Sequence, residues 1–245
     1  MKQWGIIGGT GAVNLLEGQH RQVIETPWGA PSSPLARVEL GGAPVWFLAR
    51  HGNPHTIAPH RVNYRANIAA LKQAGVTDLI AINAVGGIAP ELAAGDLVVP
   101  DQLIDYTWGR ESTFANDAER PLVHLEFGRP FSATLRDELL QAAVRLKLAI
   151  HDSGCCAVTQ GPRLETEAEV RRLERDGATL VGMTSMPEAI LAREIGLNYA
   201  SLCVIANPAA GVTETVISLE EIDLVLHAAM GSVRQIIEAV CGRNH

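Results

Sequence analysis

The stretch Asp78-Leu-Ile-Ala-Ile-Asn-Ala-Val-Gly-Gly87 constrains the fold of this chain more than any other. Leu79 to Ile82 form an unbroken apolar run. Such a run suits a strand covered on both faces, as in the middle of a parallel sheet. It then gives way to Asn83, two small apolar residues and two glycines. Small residues at the carboxyl end of a central strand leave backbone N–H groups open and let a ligand approach closely. In open α/β sheets ligands bind at that end. A buried strand that simply stops in a glycine turn has the same local appearance, so the weight rests on how other strands end.

Composition narrows the field. At 245 residues, 47% of them hydrophobic, the chain is long enough for one well-covered α/β domain spanning 1–245. The formal net charge of −7 argues against a nucleic-acid partner while leaving room for a local site that takes a small anion. The four cysteines include adjacent Cys155 and Cys156, and none stand in CxxC spacing. They read as reduced thiols of a cytoplasmic protein, not as a disulfide framework or metal site. No segment approaches the ~18 uncharged apolar residues of a membrane helix, and the amino terminus lacks a signal peptide's order of regions.

In chain order, Trp4-Gly-Ile-Ile-Gly-Gly-Thr-Gly11 is a short strand running into a glycine turn, where N–H groups and the Thr10 hydroxyl can meet an anion. The G-x-G-x-x-G spacing of a dinucleotide site is absent. Residues 35–49 read as two strands joined at Gly41-Gly42. The second ends in Arg50-His51-Gly52, and a planar guanidinium at the end of a buried strand suits phosphate. His51, His55 and His60 share a loop with Pro54 and Pro59 and lack helical i,i+4 spacing, so no metal site is expected. Residues 62–74 have helical spacing closed by Gly75. The order strand, helix, strand predicts parallel pairing.

Gly95-Asp-Leu-Val-Val-Pro100 reads as another short strand, which Gln102–Asp105 is expected to continue past the proline. Residues 106–131 show no period and read as a long loop, of the kind that serves function or meets another subunit. Ser132–Lys147 reads as an amphipathic helix with Leu135, Leu139, Ala143 and Leu146 on one face. A strand at 155–159 leads into Gln160-Gly-Pro-Arg-Leu-Glu165, and Thr166 with Glu169 then caps a helix. A strand at 180–183 enters Thr184-Ser-Met-Pro-Glu188. There Ser185 and Glu188 have capping-box spacing and Pro187 suits a first helical turn, a reading that stands beside a ligand role for Glu188. A last strand, 199–206, ends at Asn207, and Ser218 caps a terminal helix running to about Cys241. The expected architecture is a single α/β domain with a central mixed, twisted β-sheet flanked by helices.

Strands therefore end in polar or glycine-rich turns at Thr10, Arg50-His51, Asn83-Ala84, Gln160 to Glu165, Met183-Thr184 and Asn207. The set Gly8-Gly-Thr-Gly11, Ala49-Arg-His-Gly52, Val62-Asn-Tyr-x-Ala-Asn67, Asn83-Ala-x-Gly-Gly87, Gly161-Pro-Arg-x-Glu165, Met183-Thr-x-Met-Pro-Glu188 and Asn207 resembles the trimeric branch of the purine nucleoside and methylthioadenosine phosphorylases. The pattern is most like that of its methylthioinosine-cleaving members.

That resemblance implies attack of inorganic phosphate on the anomeric carbon of a nucleoside with departure of a purine, a reaction that uses no cofactor. It implies a phosphate site of Thr10, Arg50, His51, Asn83, the Ala84 backbone N–H and Thr184. Met183 would pack on the ribose, and Glu165 with Asn207 would face the base. An ionised Glu165 can accept the N1 proton of a 6-oxopurine, whereas adenine would present it with a lone pair. Asn207 can donate to O6 or N7 as charge builds on the leaving base. Near the start of the last helix, where family members for ordinary nucleosides place a histidine for the 5′-hydroxyl, this chain reads Thr215-Val-Ile-Ser-Leu219. An apolar pocket with Val216 or Leu219 would suit a 5′-methylthio group, with His124 reaching it from a neighbouring subunit of a homotrimer. The alternatives are a methylthioadenosine phosphorylase, a general 6-oxopurine nucleoside phosphorylase, and a nucleoside-binding protein without catalysis. A nucleotide-dependent oxidoreductase lacks its fingerprint here.

Overall fold

A computed structural model describes residues 2–9, 11–12, 20–115, 122–214 and 217–242. In chain order the elements are β1 (Trp4–Gly8), β2 (His20–Gln22), β3 (Leu35–Leu40), β4 (Ala43–Ala49), α1 (Tyr64–Gln73) and β5 (Asp78–Gly87). Then come β6 (Leu97–Val98), β7 (Gln102–Asp105), α2 (Ala133–Leu146), β8 (Cys155–Val158), α3 (Glu167–Arg175) and β9 (Leu180–Gly182). The last three are α4 (Ser185–Glu194), β10 (Asn198–Pro208) and α5 (Leu219–Cys241).

β5 is the hub of a mixed ten-stranded sheet. One path runs β2-β3-β4-β1-β5-β9-β8-β7, with β10 on the opposite edge of β5 and β6 antiparallel to β10. β4 and β5 are both parallel to β1, which lies between them. The strand does not stop at Asn83 as expected; it runs on to Gly87, pairing with β10 along one edge and with Val181 and Leu180 of β9 on the other. A Cβ on Gly86 would lie 3.2 Å from Val181 Cγ1, and one on Gly87 would lie 3.1 Å from Ile205 Cγ2. These glycines are therefore not a turn. They are thin positions that let two neighbouring strands close in.

Alternation along the buried strands splits the core into two layers. Ile6, Ile80, Ile82, Leu202 and Val204 pack with α2 and α5, while Ile7, Leu79, Ala81 and Cys203 pack with α1 and α4. The hairpin at Gly41-Gly42 forms as expected, both glycines at positive φ. Thr166 and Glu169 make both halves of the capping box on α3, and Ser218 caps α5. α5 is long and apolar enough by composition to span a membrane, yet Leu226, Met230, Val233, Ile236 and Ile237 are buried against the sheet.

Two further local expectations fail. Gln102–Asp105 does not extend β6: after Val98 the chain changes neighbours, and β7 pairs parallel with β8 while β6 pairs with β10. Leu146 is 37% exposed, whereas Ala142 joins Leu135, Leu139 and Ala143 in the core. Leu146 is the last helical residue before Lys147, which turns left-handed at φ 57° and ends the packed face.

Candidate active site

The cavity begins at the open edge of β5. β1 ends opposite Ile82 and β9 joins only at Gly86. Residues 83–85 therefore have no strand partner on that edge among the described residues, and Ala84 is exposed in mid-sheet. A cavity of about 500 Å³ opens here, within the range of small-molecule sites. Its walls are the turn after β1 at Gly9, the segment after β4, Ala84 to Gly86, the exits of β8, β9 and β10, and the start of α5. Arg50, His51, Ala84, Glu165, Met183, Thr184, Asn207 and Leu219 all line it. The residues picked out from separate strand ends thus converge on one chamber.

Arg50 is the buried cation of this chamber, 1% exposed. Its Nε donates to Glu188 Oε1 at 2.5 Å and its Nη2 to Glu188 Oε2 at 3.0 Å, while Nη1 donates to the Ile82 carbonyl at 3.0 Å. Tyr199 Oη also donates to Glu188 Oε2, at 3.0 Å. Burial works against the charge of Arg50, and the Glu188 carboxylate outweighs it, leaving the guanidinium pKa raised. Glu188 is fully buried and makes no capping box with Ser185. The helix starts instead at Thr184, without a side-chain cap bond, and Met186 departs from helical geometry. Leaving a buried arginine unpaired is far more costly than leaving an N-terminal N–H uncapped, so the carboxylate turns inward. Gly9 sits over this group: a Cβ there would lie 3.5 Å from Arg50 Nη1 and 3.2 Å from His51 Cδ2.

His51 is held in one tautomer. Its Nδ1 lies 2.8 Å from the Ile57 carbonyl, which can only accept, so Nδ1 carries the proton and Nε2 offers a lone pair. His55 stacks on the ring at 4.4 Å between centroids. Burial, then the neighbouring Arg50, pushes the pKa of His51 down from 6.5 to about 4, with His55 and Arg110 acting in the same direction and the Ile57 carbonyl opposing. The folded protein therefore refuses a proton that the unfolded chain takes up below 6.5. Stability contributed by His51 is full above that value and falls as pH drops from 6.5 to about 4, by a total of about 3 kcal/mol. Urea titrations of the parent and His51→Gln across this window should show a shallower pH slope in the variant. Equal slopes would mean that His51 is not the group concerned.

Asn83 is placed differently from expectation. It does not line the cavity but sits behind it, 4% exposed. Its Nδ2 donates to Ser201 Oγ, and its Oδ1 accepts from Thr184 Oγ1 at 3.1 Å. Asn83 thus supports Thr184 from the sheet side and is not itself at the chamber surface.

The opposite wall is set by two backbone features. β10 carries a register shift between Ile205 and Asn207, and a bulge of this kind re-aims side chains. Both Ala206 and Asn207 reach the cavity. Asn207 Nδ2 spends one N–H on the Pro208 carbonyl at 2.6 Å and keeps a second. After β8 the chain turns at Gly161, at φ 59°, where a Cβ would lie 2.5 Å from Met183 Sδ. That contact brings the Glu165 segment against the Met183 segment. Glu165 Oε1 accepts from Thr159 Oγ1 at 2.6 Å, leaving its other oxygen uncommitted to that bond.

Thr10 and Val216 lie outside the described residues. His124 is exposed and does not line the cavity of its own chain. Ile217, Leu219 and Ile222 make the α5 end of the chamber apolar. Among the described residues no group of three His, Cys, Asp or Glu side chains is arranged to hold a metal ion. Several contributors were not picked out from the sequence. Thr56 to Pro59 line the cavity, their only signal being position after Arg50-His51. For Glu188 the sequence allows a helix cap or a ligand role and gives no sign of its pairing with Arg50, and Arg110 carries no signal at all.

The chain matches the family model described as the phosphorylase superfamily over residues 3–241. It is 49% identical over 98% of both chains to a probable S-methyl-5′-thioinosine phosphorylase of Pseudomonas syringae pv. tomato. It is 39% identical to the 6-oxopurine nucleoside phosphorylase of Pyrococcus furiosus, covering 98% of this chain and 92% of that one. Among solved structures, the methylthioadenosine phosphorylase of Schistosoma mansoni in complex with adenine superposes with a TM-score of 0.92. It is 33% identical, with 98% of this chain and 91% of that chain covered.

Proposed function

Since this chain belongs to the phosphorylase superfamily, we propose that it is a nucleoside phosphorylase, a pentosyltransferase of purine salvage. Its reaction is the phosphorolysis of S-methyl-5′-thioinosine to hypoxanthine and 5-methylthioribose 1-phosphate. The observation that carries the choice of base is the pairing of Glu165 with Asn207 on the walls of one chamber. A carboxylate accepts the N1 proton of a 6-oxopurine and faces adenine's N1 lone pair unfavourably. The apolar end at Ile217, Leu219 and Ile222 supports a methylthio group at the 5′ position.

In this reading inorganic phosphate is the co-substrate and no cofactor takes part. Phosphate lies at the Arg50 end: Arg50, the Ala84 N–H and Thr10 donate to its oxygens, and His51 Nε2 accepts from its O–H. Thr184, held by Asn83 before phosphate binds, turns its hydroxyl to it. Met183 packs on the ribose. A phosphate oxygen forms a bond to the anomeric carbon as the bond to purine N9 breaks, and that electron pair moves into the base. The free N–H of Asn207 stabilises the charge at O6 or N7, and the proton that the attacking hydrogen phosphate gives up on becoming the ester passes through water to the departing base. The protein is read as cytoplasmic, in keeping with its four free cysteines. It is also read as a homotrimer in which His124 completes the 5′ pocket of a neighbouring subunit. Its exposure beside exposed Leu122 and Val123 supports this.

Two measurements on one sample test this. Methylthioinosine should release free hypoxanthine only when phosphate is added, followed by the change in ultraviolet absorbance. Sedimentation velocity of the active protein should give a trimer. Nucleoside binding without phosphate-dependent release would leave a binding protein, and a fully active monomer would remove the shared site.

A further inference from the structure

We propose that Arg110 is a positioning residue for this reaction, fixing the wall that carries Glu165 relative to the wall that carries Met183 and Thr184. The inference rests on the phosphorylase reading of the chamber. Arg110 comes from the aperiodic segment between β7 and α2, lines no part of the chamber, and binds the backbone behind it.

The reason lies in how two strands end. β8 and β9 pair in parallel as far as Val158 and Gly182, with one further bond from Thr159 N to the Gly182 carbonyl. Beyond that point the chains part, one toward Gly161 and Glu165, the other toward Thr184 and α4. The carbonyls just past the ladder need other donors. Arg110 supplies them: Nη2 donates to Thr159 O at 3.2 Å and Gln160 O at 2.9 Å, and Nη1 to Met183 O and Met186 O at 2.7 Å each. Nε donates to the Gln160 side chain at 3.2 Å.

A third wall joins through Tyr64. Arg110 Nη1 lies 3.1 Å from the Tyr64 hydroxyl, which donates to the Pro59 carbonyl at 2.8 Å, at the end of the lining segment after His55. One planar fork therefore spans the base wall, the ribose and phosphate wall, and the segment over His51. An ammonium has three donors and no plane, so lysine cannot reproduce this set. Loosening the brace moves reacting groups relative to one another, and misplacement by about 1 Å is worth about a hundredfold in rate.

The test compares the parent with Arg110→Lys, which keeps the charge, and Arg110→Ala, which opens the space. Thermal melts identify the folded fraction of each. Arg110→Lys should lower kcat/KM for methylthioinosine about a hundredfold, mainly in kcat, and shrink the preference over methylthioadenosine about tenfold. Added guanidinium, but not ammonium, should restore part of kcat in Arg110→Ala. A role in stability alone would reduce activity in step with the folded fraction and leave the base preference unchanged, and that result overturns the proposal. So does a lysine variant with parental kcat/KM. Hydrogen exchange separates this from failure of the function itself. Residues 159–165 and 183–186 should exchange faster together in Arg110→Lys, whatever the parent catalyses, and unchanged exchange also overturns the proposal. A parent that releases no purine would instead refute the phosphorylase reading.

Discussion

Arg50→Met should lower phosphate-dependent turnover about a hundredfold to a thousandfold and destabilise the fold, and adding Glu188→Gln should restore the stability without restoring the turnover. The single substitution leaves the fully buried Glu188 carboxylate with only the Tyr199 hydroxyl, having lost both guanidinium bonds. Breaking a buried ion pair from one side costs about 3–5 kcal/mol, most of it the price of an uncompensated charge. A neutral glutamine beside methionine removes that charge and still accepts from Tyr199, so the double variant should recover most of the loss. Catalysis responds differently. Arg50 is the cation lining the chamber among the described residues, and losing a preorganised charge at a site of phosphate attack is worth about a hundredfold to a thousandfold. Urea unfolding and phosphate titrations of parent, single and double variants separate the two effects. A double variant that regains parental use of phosphate would assign Arg50 to stability alone.

Glu165→Gln should lower the preference for methylthioinosine over methylthioadenosine by about a hundredfold. The parent carboxylate offers only acceptors, one of them bound to the Thr159 hydroxyl. A 6-oxopurine satisfies the remaining oxygen with its N1 proton. Adenine leaves it without a donor, and a site built around such a bond rejects the mismatched analogue strongly. An amide can present either its oxygen or its N–H, because the Thr159 hydroxyl can accept as well as donate. The variant therefore tolerates both bases, and its 6-oxopurine rate falls as the charge-assisted bond is lost. Steady-state rates with each nucleoside at saturating phosphate measure this ratio. An unchanged ratio would place base selection elsewhere in the chamber.

What could be read from the sequence was whatever local pattern determines. The apolar run in β5, the Gly41-Gly42 hairpin and the capping box on α3 each depend on neighbours within a few residues, and each stands in the structure. Most of the described strand-end residues converge: parallel β4, β5 and β10 deliver Arg50, Ala84 and Asn207 to one side of the sheet, and β8 and β9, antiparallel to β5, bring Glu165, Met183 and Thr184 back to meet them. Misreadings arose where a distant partner overrode a local pattern. Ser185 and Glu188 have the spacing of a cap, yet Glu188 pairs with Arg50, 138 residues away in sequence. The glycines after Asn83 look like a turn, and only the approach of β9 and β10 shows why they lie within a strand. Arg110 had no signal, since its partners are backbone carbonyls that any residue could supply.

The central claim is that this chamber selects a 6-oxopurine nucleoside with an apolar 5′ group. In the proposed reading, base recognition through Glu165 is a matched hydrogen bond, whereas the 5′ end is the apolar surface at Leu219, and such surfaces reject a hydroxyl only about a hundredfold. The most direct test is kcat/KM for methylthioinosine, inosine and methylthioadenosine, measured side by side with inorganic phosphate. The expected order is methylthioinosine first, inosine second and methylthioadenosine last, nearly inert. Faster turnover of methylthioadenosine than of methylthioinosine would contradict the account.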